Sequence, residues 1–350
     1  MAIFLSYILK KNKNNMIFNV LTIIFLLLTI FFVLMNIFLS KQNFVRGKCY
    51  EAEKEDFETK DNNITYEINS LKNIIKEKTL KIQSVTKDYN EYEKEFHVGV
   101  RYAERIQRSV IPNPEAFKKV FPQSFVYYCP KDIVSGDFYT VEQLENLSVV
   151  VVADCTGHGV PGGFLTMFCI TAVRDRLSKC YNSNEINTAE ILSKLRSFII
   201  ASLAEKNDND DTFEFSDGMD ITLVVFNKEK TKINFSLANH NLYVFQGGEI
   251  ERFKGDRMPV GRHPKQNENY EMQTCDLKAG DMIYFCSDGI QDQIGGPLEQ
   301  KFMTKRLQKM LGDIAPLDLS EQYQTALKTI TEWKDSQEQF DDQTLIGLRI

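Results

Sequence analysis

The sequence has no CxxC pair, no HExxH spacing, no GxxxxGK[ST] loop and no excess of basic residues. Each absence removes a class of function. Seven cysteines, an odd number without a dense framework, argue against a stapled secreted fold and fit reduced thiols in a cytoplasmic domain. The histidines His97, His158, His240 and His263 lack the spacing of a zinc hydrolase. Without a Walker-type loop, nucleotide binding has no support. Lys and Arg total 42 against 48 Asp and Glu, a net charge of -6. A nucleic-acid partner is therefore not expected, because neutralising phosphates calls for a basic face.

What is present begins with a long apolar run, Met16 to Leu39. About 24 residues at 1.5 Å rise each cross a bilayer core with some tilt. The run is longer than a signal-peptide core and no small-residue cleavage pattern follows, so a retained transmembrane helix is expected at 16–40. A short tail, 1–15, precedes it and leaves no room for a sizeable extracytoplasmic domain. Lys10, Lys11 and Lys13 lie before the run, and Lys41, Arg46, Lys48 and Lys54 after it. The slight excess after it, with the free thiols, places the C-terminal part in the cytoplasm of a single-pass inner (cytoplasmic) membrane protein.

A polar juxtamembrane linker is expected at 41–62, followed at 63–111 by a regulatory helix. There, from Ile64 to Val110, seam positions recur alternately four and three apart, and only Lys78 and Gly99 fail the apolar pattern badly. A strict 3.5-residue period implies a left-handed coiled coil and hence a homodimer. Gly99 lowers helix propensity and marks an expected hinge. Pro112 and Pro114 end the helix and open a domain at 112–350.

Within that domain SFVYYCP, LSVVVVAD, ITLVVFN, KINFSLAN, NLYVFQG, GDMIYFCSD and TLIGLRI read as strands bounded by Gly, Asn and Asp. Helical periodicity covers Gly163 to Cys180, Thr188 to Lys206 and Leu298 to Leu311. Strands joined by short turns imply antiparallel pairing, so the fold class is α/β (α+β) in layers rather than a doubly wound parallel sheet. Asp137, Asp154, Asp288 and Asp341 stand out, three of them beside apolar strand segments. A carboxylate there is costly unless its charge is compensated, and several converging on one place suit a hard divalent cation. The alternative for each alone is ordinary turn chemistry.

From about Tyr102 to Ile350 the motifs RIQRSVIP, PKDIVSGDFY, DCTGHGVPGG, SDGMDITLVVF, GDRMPVG, GDMIYFCSDGIQDQIGG and DDQT occur in order. Together they resemble the SpoIIE-type branch of the PP2C-like (PPM) serine/threonine protein phosphatases. The resemblance implies a layered sandwich of two antiparallel β-sheets flanked by α-helices. It also implies hydrolysis without a covalent phosphoenzyme, by a water activated between two Mn2+ or Mg2+ ions roughly 3.5–4 Å apart. On this resemblance Asp154 bridges the ions, Cys155 contributes its backbone carbonyl, Asp288 and Asp341 complete one site, and Asp137 the other. Asp342 is an alternative to Asp341. His158 is a candidate general acid, and Lys131 or Lys118 a candidate partner of the substrate phosphate. The Gly-rich loop before the following helix is a further candidate for phosphate binding. Asp220 is read as structural, capping a turn, with a place near the metals as the alternative. The expected substrate is a phosphorylated regulatory protein, a small anti-sigma-factor-antagonist type in a partner-switching pathway. The rival is a catalytically degenerate, membrane-tethered dimeric scaffold.

Overall fold

The computed structural model describes residues 15–44, 52–204 and 217–350. Nearly all of the expected tail, the middle of the expected linker and Lys206 lie outside the described residues. The chain divides into two compact units, Met1–Phe96 and His97–Ile350.

In the first unit, helix α1 (Asn15–Phe44) carries the apolar stretch Val20–Leu39, none of it buried and long enough to cross a membrane. Helix α2 (Ala52–Val110) is a single helix of 59 residues. It starts inside the segment expected to be linker. The seam residues Ile64, Ile68, Leu71, Ile75, Ile82 and Val85 keep intermediate exposure, while the side chains between them are exposed. Gly99 does not interrupt the helix.

The second unit takes in the last turns of α2, from His97, so it begins before the boundary expected at 112. Helix α3 (Pro114–Val120) follows, capped by Asn113, whose Oδ1 accepts from the Ala116 amide at 2.8 Å. Strands β1 (Ser124–Cys129), β2 (Asp137–Gln143) and β3 (Leu147–Cys155) precede helices α4 (Gly159–Ser178) and α5 (Thr188–Leu203). Next come β4 (Gly218–Asn227), β5 (Lys232–Ala238), β6 (Asn241–Gln246), β7 (Glu249–Lys254), β8 (Val260–Gly261), β9 (Gln273–Asp276) and β10 (Met282–Cys286). The chain closes with α6 (Gly289–Asp292), the hairpin β11 (Ile294–Gly295) and β12 (Gln300–Lys301), α7 (Met303–Ile314), α8 (Leu319–Lys334) and β13 (Gln343–Arg349).

One antiparallel sheet runs β1-β13-β10-β6-β7 and the other β2-β3-β4-β5-β9, with β8 on β4. Period-2 alternation sorts side chains between two cores. In β10, Ile283 and Phe285 join the larger core, which includes residues of both sheets, α4 and α5. Met282, Tyr284 and Cys286 turn the other way, into the core shared with α7 and α8. Val149 to Ala153 of β3 are fully buried, which is why this strand reads as a continuous apolar run.

The helix expected from Leu298 begins only at Met303. Residues 294–301 form a hairpin instead: Gly296 takes φ 68° against the Trp333 ring, and its amide donates to the Trp333 carbonyl at 2.8 Å. Helix α8 was not expected, although Asp318 with Glu321 is a cap signal: the Asp318 carboxylate accepts from the Glu321 amide at 2.9 Å.

Candidate active site

Strand register builds the site. Asp137 of β2 pairs opposite Asp154 of β3, and Asp154 pairs opposite Asp220 of β4. Directly opposed side chains in an antiparallel sheet have Cβ atoms about 5 Å apart, and like charges there repel. From the other sheet, Asp288 follows β10, and Asp341 and Asp342 precede β13. Asp288 comes within hydrogen-bonding reach of Asp154.

The electrostatics follow from this crowding. Burial, then the charges of Asp137, Asp288, Asp341 and Asp220, hold the Asp154 carboxyl well above the usual carboxylate range. Burial pushes Asp137 up to about 8, against hydrogen bonds from Ser287 and Thr344 that oppose the rise. Asp220 is pushed up to about 7, again by burial first, with the Asn239 amide opposing and Asp288 adding. Burial also raises Asp288.

Asp341 and Asp342 separate cleanly. Asp342 is buried, and its two oxygens accept from the backbone amides of Lys131 and Gly136, each at 2.7 Å. It ties down the loop before β2. Asp341 is half-buried, accepts the Asp342 amide at 2.9 Å on Oδ1, and contributes to the field at Asp154.

Asp137 Oδ2 accepts the Thr344 hydroxyl at 2.6 Å, whereas the buried Oδ1 has no hydrogen-bond partner. A buried anionic oxygen without a partner is costly. The surrounding donors are carboxylate oxygens, the ligand type that hard divalent cations take. Among the described residues no group of three or more His, Cys, Asp or Glu stands in metal-holding geometry, so the fit is one of donor type rather than of a formed cage. The residues therefore fit such ions by chemistry and by the bare Asp137 oxygen.

Other expected residues fall around this cluster. Cys155 ends β3, buried, and its amide donates to the Gly136 carbonyl at 3.0 Å. Burial and the neighbouring Cys169 hold its thiol well above the usual range, away from the reactive thiolate form. His158 is exposed just before α4, its Nδ1 2.7 Å from Asp132 Oδ2. Lys131 Nζ lies 6.0 Å from the centre of the half-exposed Phe340 ring. Lys118 instead pairs with Glu115 of the same helix at 3.2 Å.

Three neighbours of this cluster did not stand out in the sequence. Asp220 was read as structural, yet it shares the row with Asp154. Its position on a strand was legible, but its register was not. Lys301 lies 5.6 Å from the Phe340 ring, pairs with Asp292 at 2.8 Å, and its charge acts on Asp288. Thr344 lies in the DDQT motif, but nothing in the sequence pointed to its contact with Asp137.

The SpoIIE family model, described as Stage II sporulation protein E, matches residues 145–350. The chain belongs to the SpoIIE family. It is a PP2C-like protein phosphatase. The match takes in Asp154, Asp220, Asp288 and Asp341 but begins after Asp137. Among solved structures, this SpoIIE-family chain is similar to the SiaA PP2C domain of Pseudomonas aeruginosa, with 27% identity and a TM-score of 0.64, covering 74% of this chain and 97% of that one. The fold is shared with the PP2C phosphatase domain and regulatory fragment of SpoIIE from Bacillus subtilis, at 16% identity, TM-score 0.51, and 65% and 63% coverage. It is also shared with the RsbU and RsbW domains of Rv1364c from Mycobacterium tuberculosis, at 18% identity, TM-score 0.51, and 65% and 60% coverage. No curated protein matches the sequence.

Proposed function

We propose that this phosphatase removes phosphate from phosphoserine or phosphothreonine on a regulatory protein, a small anti-sigma-factor antagonist in a partner-switching pathway, using two Mn2+ or Mg2+ ions. The observation that carries the metal-dependent reading is the buried, partnerless Oδ1 of Asp137 beside a row of carboxylates whose mutual repulsion calls for positive charge. Asp154, central to the row, is the residue to bridge the ions, with Asp288, Asp341 and the Cys155 carbonyl on one side and Asp137 on the other. When bound, the ions supply Lewis acidity and a nucleophilic water.

The chain's own residues supply the rest. His158 is held by Asp132 through Nδ1, which leaves Nε2 to protonate the departing serine or threonine oxygen. Lys131 presents an ammonium group at the rim for the phosphate. Membrane attachment through α1 and homodimerisation through the α2 seam belong to the same reading: the apolar stretch supports the first, and the seven-residue repeat the second.

Release of phosphate from a phosphoserine peptide on adding Mn2+, absent in Asp154→Asn and Asp288→Asn, is the expected result. A wild-type protein as inert as both variants would identify a degenerate scaffold. Phosphoproteomics after inactivating Asp154 reads the substrate directly, as accumulation of one small phosphorylated regulator.

A further inference from the structure

The segment Ser135-Gly136-Asp137 is held on every polar backbone group, the Asp137 carbonyl by the Tyr128 hydroxyl at 3.0 Å. The Ser135 oxygen accepts from Thr166 Oγ1 at 3.1 Å, and the Gly136 oxygen accepts from Thr166 Oγ1 at 2.6 Å and from the Cys155 amide at 3.0 Å. The Gly136 amide donates to Asp342, and the Asp137 amide donates to Ser135 Oγ at 3.1 Å. The remaining contacts come from a helix far away in sequence. Gln107, in the last turns of α2, donates from Nε2 to the Ser135 carbonyl at 2.7 Å and accepts the Ser135 amide on Oε1 at 3.0 Å. Gln107 and Ser135 are both buried.

A carboxamide is the side chain that offers a donor and an acceptor on one planar fork. It grips the N–H and C=O of a single residue as a neighbouring strand would. This grip is applied two residues before Asp137, whose Oδ1 is the bare oxygen of the site. We propose that Gln107 is a positioning residue: its two-point hold on Ser135 sets the Asp137 carboxylate where a cation can use it. The proposal rests on the metal-dependent reading above. It adds that the end of α2 is part of the cation site's framework, although Gln107 touches neither substrate nor ion.

The test uses the full-length protein in detergent micelles. Gln107→Met keeps the side-chain length and removes the fork, and Gln107→Glu keeps the acceptor for the Ser135 amide but loses the donor. Mn2+ affinity is read by titration calorimetry, and amide exchange is followed over residues 132–138. Loss of buried hydrogen bonds of this kind predicts Mn2+ binding weakened roughly tenfold in Gln107→Met, with faster exchange in that segment. Turnover recovers at saturating Mn2+, and the phosphopeptide KM stays near wild type. A folded Gln107→Met with Mn2+ affinity within about twofold of wild type, less than one hydrogen bond's worth, overturns the proposal. So does a loss of turnover that excess Mn2+ does not restore. Should Gln107→Met fail to fold, Gln107→Glu must weaken Mn2+ binding, and unchanged affinity there is equally fatal. Wild-type protein that binds no Mn2+ sinks the metal-dependent reading and this proposal together, whereas tight wild-type binding matched by both variants sinks the clamp alone.

Discussion

Thr344 donates its hydroxyl to Asp137 at 2.6 Å, joining the two sheets at the floor of the acidic site. Thr344 belongs to β13 and Asp137 to β2, and both side chains are fully buried. Thr344→Val keeps the shape and removes the hydroxyl that Asp137 Oδ2 accepts. Urea denaturation should show a loss of about 1–3 kcal/mol, the cost of stranding a buried polar group. A loss of stability near zero would mean that this bond contributes nothing net.

The raised carboxylates make metal-free stability depend on pH with a definite sign. Asp137 is pushed up to about 8 and Asp220 to about 7, so the folded state binds more protons than the unfolded chain above the ordinary carboxylate pKa near 3.8. Their contribution is fully present below pH 3.8 and is lost as pH rises through about 7 and 8. In EDTA, Tm should therefore fall between pH 5 and 8 (a window on the order of the shifts themselves), and Asp137→Asn should flatten that slope. An unchanged slope in Asp137→Asn would show that other groups set it.

Asp154→Asn should separate stability from function. Asparagine replaces a carboxyl whose ionisation is opposed by burial and by the charges of Asp137, Asp288, Asp341 and Asp220, so the metal-free variant should melt at or above the wild-type temperature. The rise in Tm that Mn2+ produces in the wild type should disappear with activity. A variant that melts well below wild type in EDTA would assign Asp154 a packing role instead.

Lys131 and Lys301 flank the Phe340 ring at 6.0 and 5.6 Å, beside Asp341. If they receive the phosphate, alanine at either position should raise the phosphopeptide KM roughly tenfold, equivalent to about 1.4 kcal/mol, with Mn2+ affinity little changed. An unchanged KM in both single variants and in the double variant removes these lysines from substrate binding.

Nothing lies within 4 Å of a Cβ built on Gly99, and the helix passes through it unbroken. Gly99→Ala should therefore stabilise α2 by about 1 kcal/mol without a clash. An altered basal turnover would support a hinge there, and an unchanged rate would count against one.

Local patterns carried much of this architecture. The apolar run, the seven-residue repeat, the strands around Val149 to Ala153 and Met282 to Cys286, and the aspartates beside those strands were all legible, because each depends on residues near one another in the chain. Helix α8 was missed although its Asp318 cap was in plain view, and the segment after Leu298 was misread because its hairpin depends on Trp333, which follows much later. The tertiary structure alone separated the surroundings of Asp341 and Asp342, since burial and the backbone amides of Lys131 and Gly136 reach only the second. It alone placed Asp220 in the row with Asp154, put Thr344 under Asp137, and brought Gln107 onto Ser135. Sequence fixes which side chains exist and the period on which they repeat. Pairing between distant strands and helices is settled by packing and register, and there a single residue's shift changes every neighbour.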